Sequence, residues 1–303
     1  MTYGIIGTGA VGGYFGAKLA KNGCDVHFLL HRDYDVVASQ GLQVQSCNGD
    51  FLLKPVQAYA SAGDMPKCDV VLVALKSVNE HLLRTLLPPL LKSDTLVVLV
   101  QNGIGLEEDV QQWFPGTSLA AGLAFICASK TQPGVVRHEC YGSINIGNYS
   151  CPDPQRIEQL VADLCAADVE AHVVDCHLAR WRKAVWNMPF NGLTVVMNAQ
   201  TDQLLLNPAT EQLVRDLMLE IVGAARHLGV TALDEAFAEK MIEMTRAMVP
   251  YWPSMKLDYD FHRPMEIHYL YTRPLQMARN AGRPMPKLEM LEAQLRFLEQ
   301  NHR

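Results

Sequence analysis

The segment TYGIIGTGAVGGYFGAKLAKNGCDVHFLLHR, residues 2–32, constrains the fold more than any other part of this 303-residue chain. The apolar run Tyr3 to Ile6 predicts a buried strand. A glycine turn follows, then a helix to about Asn22 and a second strand from Val26 to Leu30, which together make a βαβ unit. Gly7, Gly9 and Gly12 stand at G-x-G-x-x-G spacing, directly after the strand and at the mouth of the helix. Gly7 permits the tight turn, Gly9 lets the backbone approach a pyrophosphate, and Gly12 lets helix and strand pack closely. The helix N-terminus turns unbonded amides toward negative phosphate oxygens. Gly7, Thr8, Gly9, Ala10, Val11 and Gly12 are therefore the expected cradle of a dinucleotide. A glycine motif alone can be a mere turn, but here strand, motif, helix and second strand follow in register.

The end of the second strand bears on which dinucleotide binds. An NAD site places Asp or Glu there for the ribose hydroxyls. This chain reads LLHRD, with His31 and Arg32 at that place. A guanidinium pairs bidentately with a 2'-phosphate and stacks on adenine, which favours NADP. Two other readings stay open: Arg32 as an ordinary surface arginine, and Asp33 as an NAD-type carboxylate if the strand ends one residue later.

Apolar runs at CDVVLVALK (68–76) and DTLVVLVQNG (94–103) predict further parallel strands covered on both faces, separated by a helical stretch ending near Pro88 and Pro89. Lys76 and Asn102 fall at the ends of these strands, where ligands collect in such sheets. The alternatives are a strand-terminal lysine and an Asn-Gly turn. LAAGLAFICAS (119–129), GVVRHE and GSINIGN read as strands around a Pro133-Gly134 turn, an antiparallel extension of the sheet. A helix near 154–167 and a strand at 170–174 complete this half. The fold class is thus α/β: a Rossmann-type doubly wound sheet in residues 1–174, joined to an all-α domain in 175–303.

The helical half has patterns at 177–199, 208–228 closed by Gly229, 234–248, 264–281 and 288–300. In the first, KAVWNMPFN sets Lys183, Asn187 and Asn191 four residues apart on one face, with Trp186 and Phe190 to either side. Asparagine is a poor helix-interior residue, so something must reward it there. Pro189 removes a helical donor and predicts a kink. The irregular stretch VPYWPSMKLDYDFHRPME (249–266) offers the Ser254 hydroxyl, and Glu266 at the start of the next helix. Glu at that position is also a routine partner of the helix dipole. Asp258 is expected to order the loop rather than touch a ligand.

Composition excludes several classes. Lys plus Arg total 26 against 32 Asp plus Glu, a formal charge of -6, so no global basic field exists to hold nucleic acid or an anionic membrane. No apolar run approaches the roughly 18 residues of a membrane span. The eight cysteines include no C-x-x-C pair, and no H-E-x-x-H motif occurs among the ten histidines. A reduced, cytoplasmic protein is expected, without metal.

With these residues in hand, the chain resembles the ketopantoate reductase (2-dehydropantoate 2-reductase) family over nearly its whole length. The shared pattern is GxGxxG at 7–12, Arg32 after the second strand, LK at Lys76, QNG at 101–103, KxxxNxxxN at 183–191, and PSM followed by Asp and Glu over 253–266. The resemblance implies an NADP-binding Rossmann domain and a helical domain like that of 6-phosphogluconate dehydrogenase, with substrate in the cleft between them. It implies Lys183 as general acid, Glu266 as a catalytic or substrate-orienting carboxylate, and Asn102, Asn187, Asn191 and Ser254 as substrate contacts. Lys76 and Asn102 would also serve the cofactor site. Thr201, His268 and Thr272 depart from the common pattern and bear on which 2-oxo acid is accepted.

The reaction the resemblance implies is NADPH-dependent reduction of 2-dehydropantoate to (R)-pantoate, a step of pantothenate biosynthesis, with a small 2-oxo acid as the binding partner and a homodimer as the possible assembly. A lysine at the ordinary pKa of about 10.4 can already protonate an alkoxide, so no perturbation of Lys183 is required. Neutral asparagine amides then serve carbonyl and hydroxyl oxygens without adding charge. The competing readings are a reductase of another 2-oxo acid or an imine, and a non-catalytic NADP-sensing protein.

Overall fold

The computed structural model describes residues 1–301, which divide into two compact units. The first comprises Met1–Gln101 and Leu106–Cys176. The second comprises Asn102–Gly105 and the residues from His177 onward.

Strands β1 (Thr2–Ile6), β2 (Asp25–Leu29), β3 (Leu42–Ser46), β4 (Phe51–Leu53), β5 (Gln57–Tyr59), β6 (Cys68–Val73), β7 (Leu91–Leu99), β8 (Ser118–Gln132), β9 (Val135–Asn148) and β10 (Ala171–Asp175) form one ten-stranded sheet in the first unit. Its parallel part runs β5-β2-β1-β6-β7-β8. Numbered along the chain among themselves, these strands stand in the order 3-2-1-4-5-6 of a doubly wound dinucleotide-binding sheet. Tyr3, Ile5, Phe28, Leu72 and Val98 are buried, as the continuous apolar runs require. Around the sheet lie α1 (Ala10–Lys21), α2 (Tyr34–Gln40), α3 (Leu83–Leu86), α4 (Leu106–Trp113) and α5 (Pro154–Ala166). The expected antiparallel extension is the β8-β9 hairpin, with β3 and β10 beside β9. The five-residue β3 was not anticipated, and β4 and β5 have only three residues each, too few to carry a period.

The second unit is helical: α6 (Cys176–Met197, entered from the first unit), α7 (Thr201–Leu206), α8 (Pro208–His227), α9 (Glu235–Arg246), α10 (Ser254–Asp260), α11 (Arg273–Asn280) and α12 (Pro286–Asn301). Local chemistry sets the ends. The Asn207 side chain accepts from the Ala209 amide at 2.9 Å ahead of Pro208, and Asp234 accepts from Phe237 at 3.0 Å. Val185, Met188 and Phe190 of α6 are fully enclosed in the core with Leu217, Ile221 and Leu288. Burying a side chain such as Phe190 contributes about 2–3 kcal/mol.

Two segments differ from their sequence patterns. The irregular stretch at 249–266 contains α10, and the pattern at 264–281 opens in a π-helical turn, His268–Thr272, before α11. Pro274 lacks the N–H that would serve the Leu270 carbonyl, so the wider turn relieves the ladder there. Among the described residues no helix is long and apolar enough to cross a membrane.

Candidate active site

In the first unit the glycine loop has the form its residues dictate. Gly7 takes a left-handed φ of 92°, and a Cβ there would lie 2.5 Å from the Leu75 amide nitrogen. At Gly12 a Cβ would lie 2.4 Å from the Gly7 carbonyl oxygen. Gly9 is different. Its φ of -85° suits any residue, and a Cβ there would meet nothing nearer than the Gly7 oxygen at 4.0 Å. Glycine at this position keeps an open approach to the helix mouth rather than satisfying the protein's own packing. The first turn of α1, Ala10 to Gly12, contains no acidic residue. The loop thus fits a pyrophosphate: open space, amides and no opposing charge. Thr8 is buried, and its hydroxyl donates to the Leu29 carbonyl at 2.8 Å, tying the loop to the end of β2.

Beyond β2, which ends at Leu29, His31 and Arg32 are exposed and Asp33 is buried. Asp33 stands at the N-cap of α2, but its side chain makes no cap hydrogen bond. Its carboxylate pairs with Lys130 of β8 and accepts from the Gly134 amide at 3.3 Å. Lys130 also donates to the Thr8 carbonyl at 2.7 Å. Among the described residues Arg32 makes no salt bridge, so its guanidinium remains available to an anion. Lys76 is exposed just beyond β6, at the head of a 3-10 turn, Ser77–Leu82.

In the second unit α6 continues through Pro189. The Tyr271 hydroxyl donates to the Met188 carbonyl at 2.7 Å and is within bonding reach of the Gly192 amide. A side-chain hydroxyl thus enters the helical ladder beside the proline, where a perturbed ladder is expected. This contact fastens the π-helical turn to α6. Glu266 precedes that turn and is buried; the amide of Met265 donates to Glu299 at 2.8 Å, which fixes the approach to it. The QNG segment meets the same turn, where the Ile104 amide donates to the Tyr269 carbonyl at 2.9 Å. Asn102, half-buried, therefore belongs with the helical unit, whereas Lys76 belongs to the first.

Lys183, Asn187 and Asn191 share one face of α6, as their spacing predicts. Lys183 keeps some exposed surface, yet protein crowds the ammonium enough to push its pKa down to about 7. Burial is the largest cause; the positive charge of Arg180 adds to it, and the Glu266 carboxylate opposes it. The reaction does not require such a shift in the lysine, but the folded chain imposes one. Asn187 is half-buried, and among the described residues its side-chain amide makes no hydrogen bond. Asn191 is buried and committed: it donates to the Asn187 carbonyl at 2.9 Å and accepts from the Met255 amide at 3.2 Å. That second bond holds the start of α10, whose first residue is the exposed Ser254.

The sequence profile described as "Ketopantoate reductase PanE/ApbA" matches residues 3–150, and "Ketopantoate reductase PanE/ApbA C terminal" matches 175–299. The chain belongs to this family. It is 43% identical to the 2-dehydropantoate 2-reductase of Nostoc sp., over 99% of this chain and 96% of that one. Crystal structures of 2-dehydropantoate 2-reductases match it from end to end. That from Geobacter metallireducens GS-15 has a TM-score of 0.94 at 37% identity, covering 99% of this chain and 100% of its own. That from Methylococcus capsulatus has 0.92 at 33%, covering 100% and 98%.

The Thr272 hydroxyl bonds with Glu292 at 2.5 Å and accepts from Arg296 at 2.6 Å, so it serves the packing of α12. His268 is exposed, its ring edge-on to Tyr269 at 4.6 Å. Thr201 is buried at the start of α7, its amide 3.3 Å from the Tyr251 carbonyl. In the segment after α9, the Asp258 carboxylate accepts from the Arg263 guanidinium at 2.9 Å and so orders the loop, as anticipated. Sequence reasoning missed Arg180, Tyr271 and Lys130. Arg180 lies three residues before Lys183, a spacing that signals a shared face. Nothing local marks the other two.

Proposed function

We propose that the chain catalyses reduction of the C2 ketone of 2-dehydropantoate with NADPH, Lys183 acting as general acid. The observation that carries the chemistry is the crowded ammonium of Lys183, with its pKa near 7 and the buried Glu266 carboxylate acting on it. The 43% identity with a 2-dehydropantoate 2-reductase along the full length supports the substrate. NADPH, when bound, supplies the hydride. Gly7, Thr8, Gly9, Ala10, Val11 and Gly12 cradle its pyrophosphate, Arg32 pairs with the 2'-phosphate, and Lys76 adds positive charge at the cofactor site. The protonated Lys183 stabilises the developing alkoxide and then gives up its proton. A pKa near the working pH makes the lysine a better proton donor than an ordinary one.

Glu266 favours the charged form of Lys183 and orients it. Asn102, Asn187 and Ser254 have the donors and acceptors that a carboxylate, a ketone and a terminal alcohol need. Asn191, whose amide is spent on Asn187 and Met255, acts by holding Ser254 in place.

NADPH oxidation with a panel of 2-oxo acids tests the reading, and 2-dehydropantoate should exceed acids lacking the terminal hydroxyl by about 100-fold or more in kcat/KM. Preference for another acid removes the substrate. Tight NADPH binding without turnover on any of them supports the sensor instead.

The pH dependence has a defined sign. Reduction needs the protonated lysine, so kcat/KM should fall as pH rises through about 7, the free-enzyme pKa of Lys183. Arg180→Met removes a charge that disfavours the ammonium and should move this limb upward. Glu266→Gln removes one that favours it and should move the limb down. Two shifts in the same direction, or a limb indifferent to both, would refute the assignment.

For the cofactor, Arg32→Ala should weaken NADPH by about 10- to 100-fold through loss of a charge-assisted contact, leaving NADH nearly unchanged. Fluorescence titration of the two cofactors reads this directly, and an equal loss for both rules out the phosphate contact.

A further inference from the structure

The loop after β2 carries two groups with opposite cofactor preferences, since Arg32 suits a 2'-phosphate and Asp33 suits ribose hydroxyls. Bare, Asp33 would repel a 2'-phosphate and cancel much of what Arg32 offers. The structure shows where that carboxylate goes. Asp33 is 8% exposed, its side chain makes no cap bond to α2, and it is paired with the Lys130 ammonium; the Gly134 amide donates to it at 3.3 Å. Lys130 comes from β8, one strand of the long hairpin whose tip, at Gly134, lies against α2: a Cβ there would be 3.2 Å from Val36. The same ammonium donates to the Thr8 carbonyl of the glycine loop at 2.7 Å. One cation therefore joins the phosphate cradle to the loop that selects the cofactor, and neutralises the acidic member of that loop.

We propose that Lys130 is a specificity-determining residue: by sequestering Asp33 it leaves Arg32 as the charge presented to the 2'-position, and so fixes preference for a 2'-phosphorylated nicotinamide dinucleotide. The inference rests on the NADP reading above. It assigns Lys130 a positioning role, acting through Asp33 and Thr8 rather than through contact with substrate.

The test is a double-mutant cycle on the full-length protein, with NADPH and NADH affinities measured by fluorescence titration. Lys130→Met uncovers the carboxylate and should lower NADPH affinity about tenfold more than NADH affinity, any loss through the Thr8 contact being common to both cofactors. Adding Asp33→Asn to Lys130→Met should restore most of the NADPH preference, because the repelling charge is gone. Lys130→Arg should keep it. A merely structural lysine predicts otherwise: equal loss of both cofactors in Lys130→Met, with no rescue by Asp33→Asn. Either that pattern or an unchanged preference in Lys130→Met overturns the proposal. If the wild type binds NADH as tightly as NADPH, the NADP reading falls and this inference with it. If the wild type prefers NADPH and Arg32→Ala abolishes that preference while Lys130→Met does not, this inference alone fails.

Discussion

Lys183→Ala should slow the chemical step by about two to four powers of ten, a loss of about 3–5 kcal/mol of transition-state stabilisation. The expectation follows from a side chain crowded enough to hold its pKa near 7 and acted on by Glu266, on the α6 face that also carries Asn187. Single-turnover oxidation of bound NADPH isolates the step from product release. Lys183→Arg separates the two parts of the lysine's task. A guanidinium keeps the positive charge but does not release its proton near neutral pH, so this variant should remain slow if proton donation matters and recover if charge alone suffices. NADPH affinity should be nearly unchanged in both. A rate for Lys183→Ala within tenfold of wild type would discard the general-acid role.

Gly9→Val should abolish tight NADPH binding while leaving the fold intact, whereas Gly12→Val should also cost stability. At Gly9 the backbone already suits a branched residue and the new Cβ enters open space, 4.0 Å from its nearest neighbour. Only the pyrophosphate would meet it. The cofactor dissociation constant should rise by about two powers of ten, or about 3 kcal/mol, with little change in melting temperature. At Gly12 the Cβ would press on the Gly7 oxygen at 2.4 Å, Ala74 at 3.0 Å and Ile5 at 3.2 Å. Overpacking of this kind costs about 1–3 kcal/mol, which should lower the melting temperature by several degrees. Thermal unfolding together with cofactor titration reads both variants. Unchanged NADPH affinity in Gly9→Val would mean that the dinucleotide does not lie against this turn.

The parts of the molecule legible from its residues are those with strong local periodicity. The βαβ opening, the apolar strands and the long helices announce themselves because 2-residue and 3.6-residue spacings are set by the backbone alone. The three-residue strands β4 and β5 were invisible, since so short a segment has no period and forms only because a neighbour offers a ladder. The π-helical turn was equally hidden. Its cause is Pro274, which is visible, but the contact that fastens it to α6, Tyr271 to the Met188 carbonyl, crosses 83 residues of chain.

For the candidate site, the same division runs through single residues. The spacing of Lys183, Asn187 and Asn191 was enough to put all three on one helix face. Their different tasks were not readable there: one amide is committed to Asn187 and Met255, while the other makes no bond among the described residues. Likewise the order of residues pointed to a glycine turn suited to a dinucleotide ahead of a helical unit bearing a lysine, and it left Arg32 and Asp33 as rivals. Folding brought Lys130 and Gly134 onto Asp33, and it lowered the Lys183 pKa through burial and the charge of Arg180. The physical reason is range. Backbone periodicity and steric need act over a few residues of chain, whereas desolvation and Coulomb interaction act through space, among groups whose neighbours only folding supplies.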